Sequence, residues 1–458
     1  MSTGKDRVIN RPMGTYAELI RVAWPIVVAN LSYTAMALTD TVVVAQLGTK
    51  EVAAVGLAGT ITWALVVFGV GLISAVKVVV SQAHGSGEDA RTISGTYQGV
   101  AAALLVGLPL TALALSPVLG GFVHLMQVKG ELYEIAEAYA TTRSLGFIPT
   151  LVSFAAFGYF QGIGNTKVPM RITLFANGLN IVLDLVLVRG FGPIPAYGVN
   201  GVAIATVIAL FVQCSAALWV LGRATWSKRV FTLRGTGELF RLGAPMGMRY
   251  CLEVLSWTVF TSFVSAQGEA HLAAHVITIR IVSVSFLPGN GISDATCVLT
   301  GQAIGARDEE LAATIARKAM YCALAIMGAF GIMFFFGGGY LVGLFDSSDE
   351  VVMIGGPLMI IAAAFQIFDA VAMVKVGALN GAGDTLYVSV VSTVLAWAVL
   401  VPAGYFLCVR TEWGAPGAWL AVTVQIVVTA YLFINRWGSR RPVKRAVARV
   451  ALKQEAMA

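Results

Sequence analysis

The sequence predicts an all-α polytopic membrane protein, with twelve transmembrane helices in two pseudo-symmetric six-helix lobes around a central cavity. Three observations carry this prediction: the composition, the recurrence of long apolar runs and an internal repeat. Of the 458 residues, 57% are hydrophobic and 12% are charged, and the mean hydropathy is +0.80. Soluble domains have roughly 25% charged residues. We therefore expect the chain to reside in a lipid bilayer.

Apolar runs long enough to cross a bilayer, about 20 residues each, follow one another along the whole chain. Short polar joints separate them. These joints lie near Gly48, Gly85, Lys129, Asn165, Gly198, Arg229, Gly268, Arg307, Ser347, Asp384 and Trp413. The joints divide the chain into twelve predicted spans.

The second half of the sequence repeats the first. The five matched pairs are RVAWPIVVANL with RLGAPMGMRYC, AQLGTKEVAA with SAQGEAHLAA, GLISAVKVVVSQAHG with GISDATCVLTGQAIG, FQGIGNTKVP with LNGAGDTLYV, and YGVNGVAIAT with WGAPGAWLAV. They occur in the same order, and Pro25 and Pro245 are in phase. Six spans is an even number, so both copies enter the membrane in one orientation, and an axis along the membrane normal should relate them.

The repeat and the charges predict the domain organisation. The lobes are expected at 1–222 and 239–438, with a basic linker at 223–238 and a basic tail at 439–458. The net charge of +7 concentrates in the linker, the tail and the residues before the first span. By the positive-inside rule, these segments and both termini are predicted to be cytoplasmic. This distribution indicates membrane topology and argues against nucleic acid as a partner.

Motifs of other protein classes are missing. The five cysteines are scattered without a CxxC pair, which argues against a disulfide framework or a metal site. The sequence has no HExxH motif and no Ser/His/Asp set at one depth, so we expect neither an enzyme nor a cofactor. The basic loop that follows span two in major-facilitator carriers is replaced by QAHGSGEDARTISG. The four histidines lie near span ends and are expected at the surface: His84, His124, His271 and His275.

Polar residues in the first-lobe spans share one depth band in the outer half of the membrane. The depth follows from a rise of ~1.5 Å per residue. Three residues lie roughly 12 Å from the outer boundary: Asp40, Tyr139 and Thr206. Asp184 lies roughly 8 Å from the boundary, and Asn180 is one turn deeper. Alone, the aspartates could be hydrated from the boundary, and Tyr139 and Thr206 could join helices by hydrogen bonds. An ionised carboxylate in hydrocarbon costs at least ~2.5 kcal/mol. We therefore expect Asp184 to face a hydrated pocket with the other residues.

The second lobe has its own buried charges. Glu253 and Asp369 both fall near the middle of their spans, where neither reaches water easily. Arg280 is the candidate counter-ion for one of them, although its side chain could instead extend toward the headgroups. Carboxylates that bind either a small cation or an organic cation let one charge displace the other, which is the chemistry of antiport.

The motifs resemble the multidrug and toxic compound extrusion (MATE) transporters. The resemblance covers nearly the whole chain: a proline early in span one followed by TDTVVVAQLG, the QAHG and GQAIGA ends of spans two and eight, and NIVLD in span five. It combines features of the DinF-like and NorM-like branches. It implies a monomer of twelve helices in two lobes in the bacterial cytoplasmic (inner) membrane. Such transporters export bulky organic cations in exchange for protons or sodium ions.

Carried over by residue, the resemblance implies a first-lobe cation site and a bending point at Pro25 of the first helix. That site comprises Asp40, Tyr139, Asn180, Asp184 and Thr206, and all of these except Tyr139 could hold a sodium ion. Glu253 and Asp369 are implied to be the NorM-like carboxylates of the second lobe. The expected partners are organic cations, a coupling cation and the lipid bilayer. The alternative is a flippase or exporter of a lipid-linked or endogenous metabolite on the same architecture.

Overall fold

The computed structural model describes residues 14–125, 130–225, 235–411 and 413–455, and its regular elements are helices. In chain order they are α1 Tyr16–Ala45, α2 Thr49–Ile73, α3 Ala75–Gly85, α4 Asp89–Ala114, α5 Val118–Leu125, α6 Glu131–Ser144, α7 Phe147–Gly162, α8 Lys167–Arg189, α9 Val199–Thr225, α10 Thr236–Ser265, α11 Glu269–Gly305, α12 Glu309–Gly343, α13 Asp349–Gly381, α14 Thr385–Arg410, α15 Gly414–Gly438 and α16 Arg441–Glu455. Helix α14 contains two π-helical turns, Ala396–Leu400 and Phe406–Arg410.

The predicted all-α polytopic fold class is confirmed. Among the described residues, 10 helices are long and apolar enough to cross a membrane, counting α2 with α3 as one, and the bent pair α6–α7 makes up to 11. Helix α10, with 30 residues, supplies the twelfth predicted span. At ~1.5 Å per residue it is long enough to cross, but Arg249 and Glu253 lower the hydropathy of its middle.

The predicted joints coincide with helix ends wherever the structure describes them. The joints predicted near Lys129 and Arg229 lie outside the described residues. The other predicted joints lie within two residues of a helix terminus. Hydropathy thus located the boundaries of the spans.

Matched positions of the repeat adopt matched local structure. Pro25 lies inside α1, and Pro245 lies inside α10. Gly48 precedes α2 with a φ of 153°, and Gly268 precedes α11 with a φ of 113°. Backbone in this region of φ favours glycine because it has no Cβ. The tight entry into the second span of each half therefore depends on the glycine.

The chain forms two compact units, and their limits differ from those of the two sequence halves. The first-half unit comprises Val28–Val80 and Asp89–Gly247. The second-half unit comprises Met1–Val27, Ser81–Glu88 and Met248–Ala458. The start of α1 and the end of α3 thus group with the second half, and the start of α10 groups with the first. The lobe limits at 222 and 239 remain a prediction.

Small apolar residues form the core of the first-half unit. Val44 from α1 packs in one cluster with Ala54 and Ala58 from α2, Tyr139 from α6 and Ala203 from α9. In lipid, helices associate through close van der Waals packing, which small side chains permit. The cluster joins the helices that carry the polar residues of this half.

The described residues of the second-half unit include two apolar clusters. One includes Phe260, Phe365 and Trp419. The other includes Leu19 from the start of α1 and Val443 from α16. The basic tail therefore forms a helix whose apolar side joins the core, while its Arg441, Lys444 and Arg445 side chains stay exposed.

Helices α11 and α13 approach so closely that α13 requires glycine at the contact. A methyl group at Gly377 would overlap the backbone oxygen of Ser293. At Gly381 it would come within 2.5 Å of the backbone oxygen of Cys297. Gly356 of the same helix has no heavy atom within 4 Å of that position.

We expect Gly377→Ala to destabilise the protein by about 1–3 kcal/mol, because the added methyl group must displace the backbone of α11. Gly356→Ala should be neutral or slightly stabilising, since alanine favours the helix and meets no neighbour. Thermal unfolding of the detergent-purified variants checks this difference. Equal midpoints for the two variants would contradict the close packing of α11 and α13.

Candidate functional site

The carboxyl groups of Asp40 on α1 and Asp184 on α8 lie at hydrogen-bonding distance from each other. Asp184 is fully buried, and Asp40 is half-buried. A hydrogen bond between two carboxyl groups requires one proton, and two ionised carboxylates this close would repel each other strongly. The geometry therefore favours one proton shared by the pair.

Asn180 connects this pair to α9. With its amide oriented to satisfy both neighbours, Asn180 Nδ2 donates to Asp40 Oδ1 at 3.2 Å, and its side-chain oxygen accepts from the Thr206 N–H at 3.2 Å. The Thr206 hydroxyl donates to the Val202 carbonyl at 2.9 Å. Asp184 Oδ1 is buried and has no protein donor among the described residues. An acceptor oxygen therefore remains available beside the carboxyl pair.

Tyr139 brings a basic residue to the same cluster. Tyr139 is 4% exposed, and its hydroxyl interacts electrostatically with Arg143, one turn further along α6. Arg143 also interacts electrostatically with Asp40 and Asp184. The structure therefore brings together the five residues that the sequence singled out in the first lobe. Sequence reasoning missed Arg143, although an arginine four residues after Tyr139 inside a span was a visible signal.

Polar contacts extend this cluster along α1. Asn177 Nδ2 donates to Ser32 Oγ at 2.8 Å, and the Tyr33 hydroxyl donates to Gln213 Oε1 at 3.0 Å. These bonds join α1 to α8 and α9. Because the bonds lie about two turns from Asp40, they fix the orientation of the helix that carries it.

In the second half, Glu253 pairs with Arg249 and not with Arg280. Arg249 Nη1 lies 3.5 Å from Glu253 Oε2, with the two side chains 11% and 43% exposed. Among the described residues, Arg280 makes no ion pair within 4 Å. The expectation of Arg280 as the counter-ion of Glu253 or Asp369 was therefore wrong. Arg249 lies one turn before Glu253 on α10, so the two side chains share a face.

Asp369 interacts electrostatically with Glu253, and its Oδ2 atom is buried without a hydrogen-bond partner in the described part of the chain. Gln366 lies three residues earlier on α13. Its Nε2 atom donates to Ser285 Oγ at 2.8 Å, while its Oε1 atom is also buried without a donor. The Asp369 oxygen can take up a proton, and both oxygens can coordinate a small cation.

His275 is buried, which corrects its expected surface position. Its side chain is 0% exposed. The Trp419 indole N–H donates to His275 Nδ1 at 3.0 Å, and Thr261 Oγ1 lies 3.4 Å from its Nε2 atom. Because Nδ1 accepts a hydrogen bond, this geometry requires the neutral tautomer with its proton on Nε2. Phe365 stacks on Trp419 at 6.1 Å between ring centroids.

The MatE family profile matches residues 25–186 and, separately, residues 245–406. The chain belongs to the MATE family of membrane transporters. The two matches begin at Pro25 and Pro245, which are the residues that the internal comparison aligned. One family pattern thus occurs twice in the chain.

Relatives and solved structures of MATE transporters cover almost the whole chain. A Bradyrhizobium diazoefficiens protein named "Probable multidrug resistance protein NorM" is 29% identical over 440 residues, 92% of this chain and 93% of that protein. "Multidrug resistance protein NorM" of Burkholderia vietnamiensis is 29% identical over 441 residues, with the same coverage of 92% and 93%. These names support the NorM-like branch.

Two solved structures share the fold. One is a MOP superfamily transporter from Pyrococcus furiosus, with a TM-score of 0.86, 22% identity and coverage of 97% of this chain and 100% of that chain. The other is a multidrug resistance MATE family transporter in an outward-facing conformation. Its TM-score is 0.84 at 22% identity, and coverage is 94% of this chain and 96% of that chain. The MATE architecture predicted from the sequence is thereby confirmed.

The Arg249–Glu253 pair predicts energetic coupling in this MATE chain. We expect the effects of Arg249→Gln and Glu253→Gln on stability to be non-additive by about 0.5–1 kcal/mol, because either change alone breaks the same ion pair. Arg280→Gln combined with Glu253→Gln should be additive. Thermal unfolding midpoints of the unchanged protein, the three single variants and the two double variants measure both coupling energies. Coupling of Glu253 to Arg280 instead would contradict the geometry.

Proposed function

We propose that this protein is a secondary active efflux transporter that exports organic, mainly cationic, drugs or toxic compounds in exchange for a coupling cation. The observation that carries the proposal is the buried Asp40–Asp184 carboxyl pair with Asn180 hydrogen-bonded to Asp40. The multidrug resistance names of the relatives support an export role.

The exchange follows from the charge of the pair. When the pair holds a proton, it offers one negative charge to the surrounding low-dielectric space. When the proton leaves, repulsion between the two carboxylates makes the binding of another cation favourable. A proton and an organic cation therefore compete for the same negative charge. If each is released to the opposite side by alternating access, that competition couples the inward flow of one to the outward flow of the other.

The proton is the coupling ion that the hydrogen-bonded pair favours. Sodium is the other candidate, because Asp40, Asn180, Asp184 and Thr206 offer side-chain oxygens, the ligand type that hard cations prefer. Proteoliposomes loaded with a cationic dye distinguish the two. An imposed pH gradient at constant sodium should drive dye movement, and a sodium gradient at constant pH should not. Dye movement driven only by sodium would reverse the assignment.

The chain is proposed to lie in the bacterial cytoplasmic membrane as a monomer with both termini cytoplasmic. Basic residues in the tail, such as the exposed Arg441, Lys444 and Arg445, support this orientation through the positive-inside rule.

Asp184→Asn should preserve folding and abolish coupled transport. The amide retains hydrogen-bonding capacity toward Asp40 and removes a buried charge, so the unfolding midpoint should stay equal or rise. It cannot exchange a proton, so pH-driven dye movement in proteoliposomes should fall to background. Glu310→Gln is the matched control, since that carboxylate is 74% exposed. Full activity of Asp184→Asn would remove Asp184 from the coupling site.

Glu253→Gln and Asp369→Asn should each reduce export of cationic dyes more than export of neutral substrates. The two carboxyl groups interact electrostatically, and the Asp369 Oδ2 atom is buried, so the attraction of Asp369 for an organic cation is stronger than in bulk water. Initial export rates for a cationic and a neutral substrate of similar size measure the difference. An equal loss for both substrates would assign these carboxyl groups to coupling or folding and not to recognition of substrate charge.

A further inference from the structure

A cavity of about 390 Å³ lies inside the second-half unit, where the start of α12 and the ends of α13 and α15 meet α16. None of the carboxyl groups proposed for transport lines it. Its walls combine three cations, one carboxylate and two large aromatic rings: Arg317, Lys375, Arg440, Glu309, Tyr321 and Trp437. The lining therefore has an excess of positive charge.

Lys375 is the most unusual residue of this cavity. Its side chain is half-buried, and its Nζ atom lies 5.8 Å from the centre of the Trp437 ring. It has no carboxylate within 4 Å among the residues that the structure describes. Lys375 lies six residues before the end of α13, which places it ~9 Å inside the helix end. A cation at this depth without an anionic partner is costly, so an anion should bind there favourably.

Arg317 gives the cavity a second available cation. It is exposed and makes no ion pair in the described parts of the chain. It lies eight residues after the start of α12, ~12 Å along the helix and so at a depth comparable to that of Lys375. Arg440 is already engaged, because its Nη1 atom lies 2.6 Å from Glu310 Oε1. Lys375 and Arg317 are therefore the groups left for a bound anion.

The aromatic residues fit a lipid better than a small soluble anion. Tyr321 is 56% exposed one turn from Arg317, and the Trp437 ring lies beside Lys375. Aromatic side chains are typical of the boundary between headgroups and acyl chains. The basic residues at this end of the helices predict the cytoplasmic leaflet. Basic pockets between helices on that side are suited to anionic headgroups.

The fold itself does not require these residues. At the separation of 219 residues between Phe160 and Leu379, Lys375 matches Ala156 of the first half. At the separation of 216 residues between Tyr197 and Trp413, Trp437 matches Leu221. Ala156 and Leu221 are both buried and apolar. The first half thus forms the corresponding helices without counterparts of Lys375 and Trp437.

We propose that this cavity binds the phosphate headgroup of an anionic phospholipid from the surrounding leaflet. Lys375 and Arg317 contact the phosphate oxygens, and Tyr321 and Trp437 contact the glycerol and the first acyl carbons. The site is separate from the proposed transport site, so its test does not depend on transport.

Binding of phosphatidylglycerol to the purified, delipidated full chain tests the proposal, with thermal stabilisation and native mass spectrometry as readouts. The half-maximal lipid concentration should rise about fivefold for Lys375→Gln, and about 25-fold for the double variant with Arg317→Gln, at roughly a factor of five per charge. Lys375→Arg should bind like the unchanged protein. Arg445→Gln should also do so, because it removes an exposed cation of α16 that does not line the cavity.

Three results would overturn the proposal. The first is equal lipid binding by the unchanged protein and the double variant, with both folded. The second is equal binding of phosphatidylcholine, which would make the headgroup charge irrelevant. The third is displacement of the lipid by millimolar inorganic phosphate, which would identify a site for a soluble anion. If Lys375→Gln does not fold, Arg317→Gln alone and Lys375→Arg still give the comparison.

Discussion

A charge inside a membrane-spanning helix must be compensated close to its own side chain, because no bulk water is available to solvate it. Four charged groups in the described helices meet that requirement in different ways. Asp40 and Asp184 share a hydrogen bond and have Arg143 nearby, and Glu253 pairs with Arg249. Lys375 has the Trp437 ring beside it and no carboxylate within 4 Å in the described parts of the chain. These differences separate the proposed coupling site, an ion pair and a proposed anion site.

Compensation at such short distances depends on tightly packed helices. Within the second-half unit, Gly377 lets α13 approach the backbone of α11, and Ser285 and Gln366 on the same two helices join by a hydrogen bond of 2.8 Å. The glycine contact brings the backbones together, and the polar contact fixes their rotation. A polar side chain on one helix can then lie within hydrogen-bonding distance of its partner on another helix.

The sequence predicted the fold because hydropathy and the repeat act over many residues. It also predicted the grouping of Asp40, Asn180 and Asp184. Polar side chains at one depth on neighbouring helices avoid the lipid by facing one another. Depth does not determine which way a side chain faces, and the errors arose there. Arg280 was chosen for its depth, whereas Arg249 pairs with Glu253 because it shares a helix face one turn away.

The sequence did not predict the burial of His275 or the π-helical turns of α14, for a related reason. His275 lies near the start of α11, so position alone suggested the surface, but Trp419 covers it and donates to its Nδ1 atom. The π-helical turns of α14 depend on local packing, and no residue pattern identified them. Both features depend on neighbours distant in sequence.

The repeat distinguishes the residues that both halves need for folding from the residues that only one half has. Pro25 and Gly48 recur as Pro245 and Gly268, so both halves place a proline inside the first helix and a glycine at the same tight turn. The carboxyl groups inside the spans do not recur in this way.

The matched partners of the charged residues are uncharged. Asp40 matches Phe260, Glu253 matches Tyr33, and Asp369 matches Thr150, at separations of 220, 220 and 219 residues. A residue needed to fold the repeat should occur in both copies. A charge present in one copy has a desolvation cost that packing common to both halves does not offset. We infer that the halves share a scaffold and divide the binding of cations between two chemically different sites.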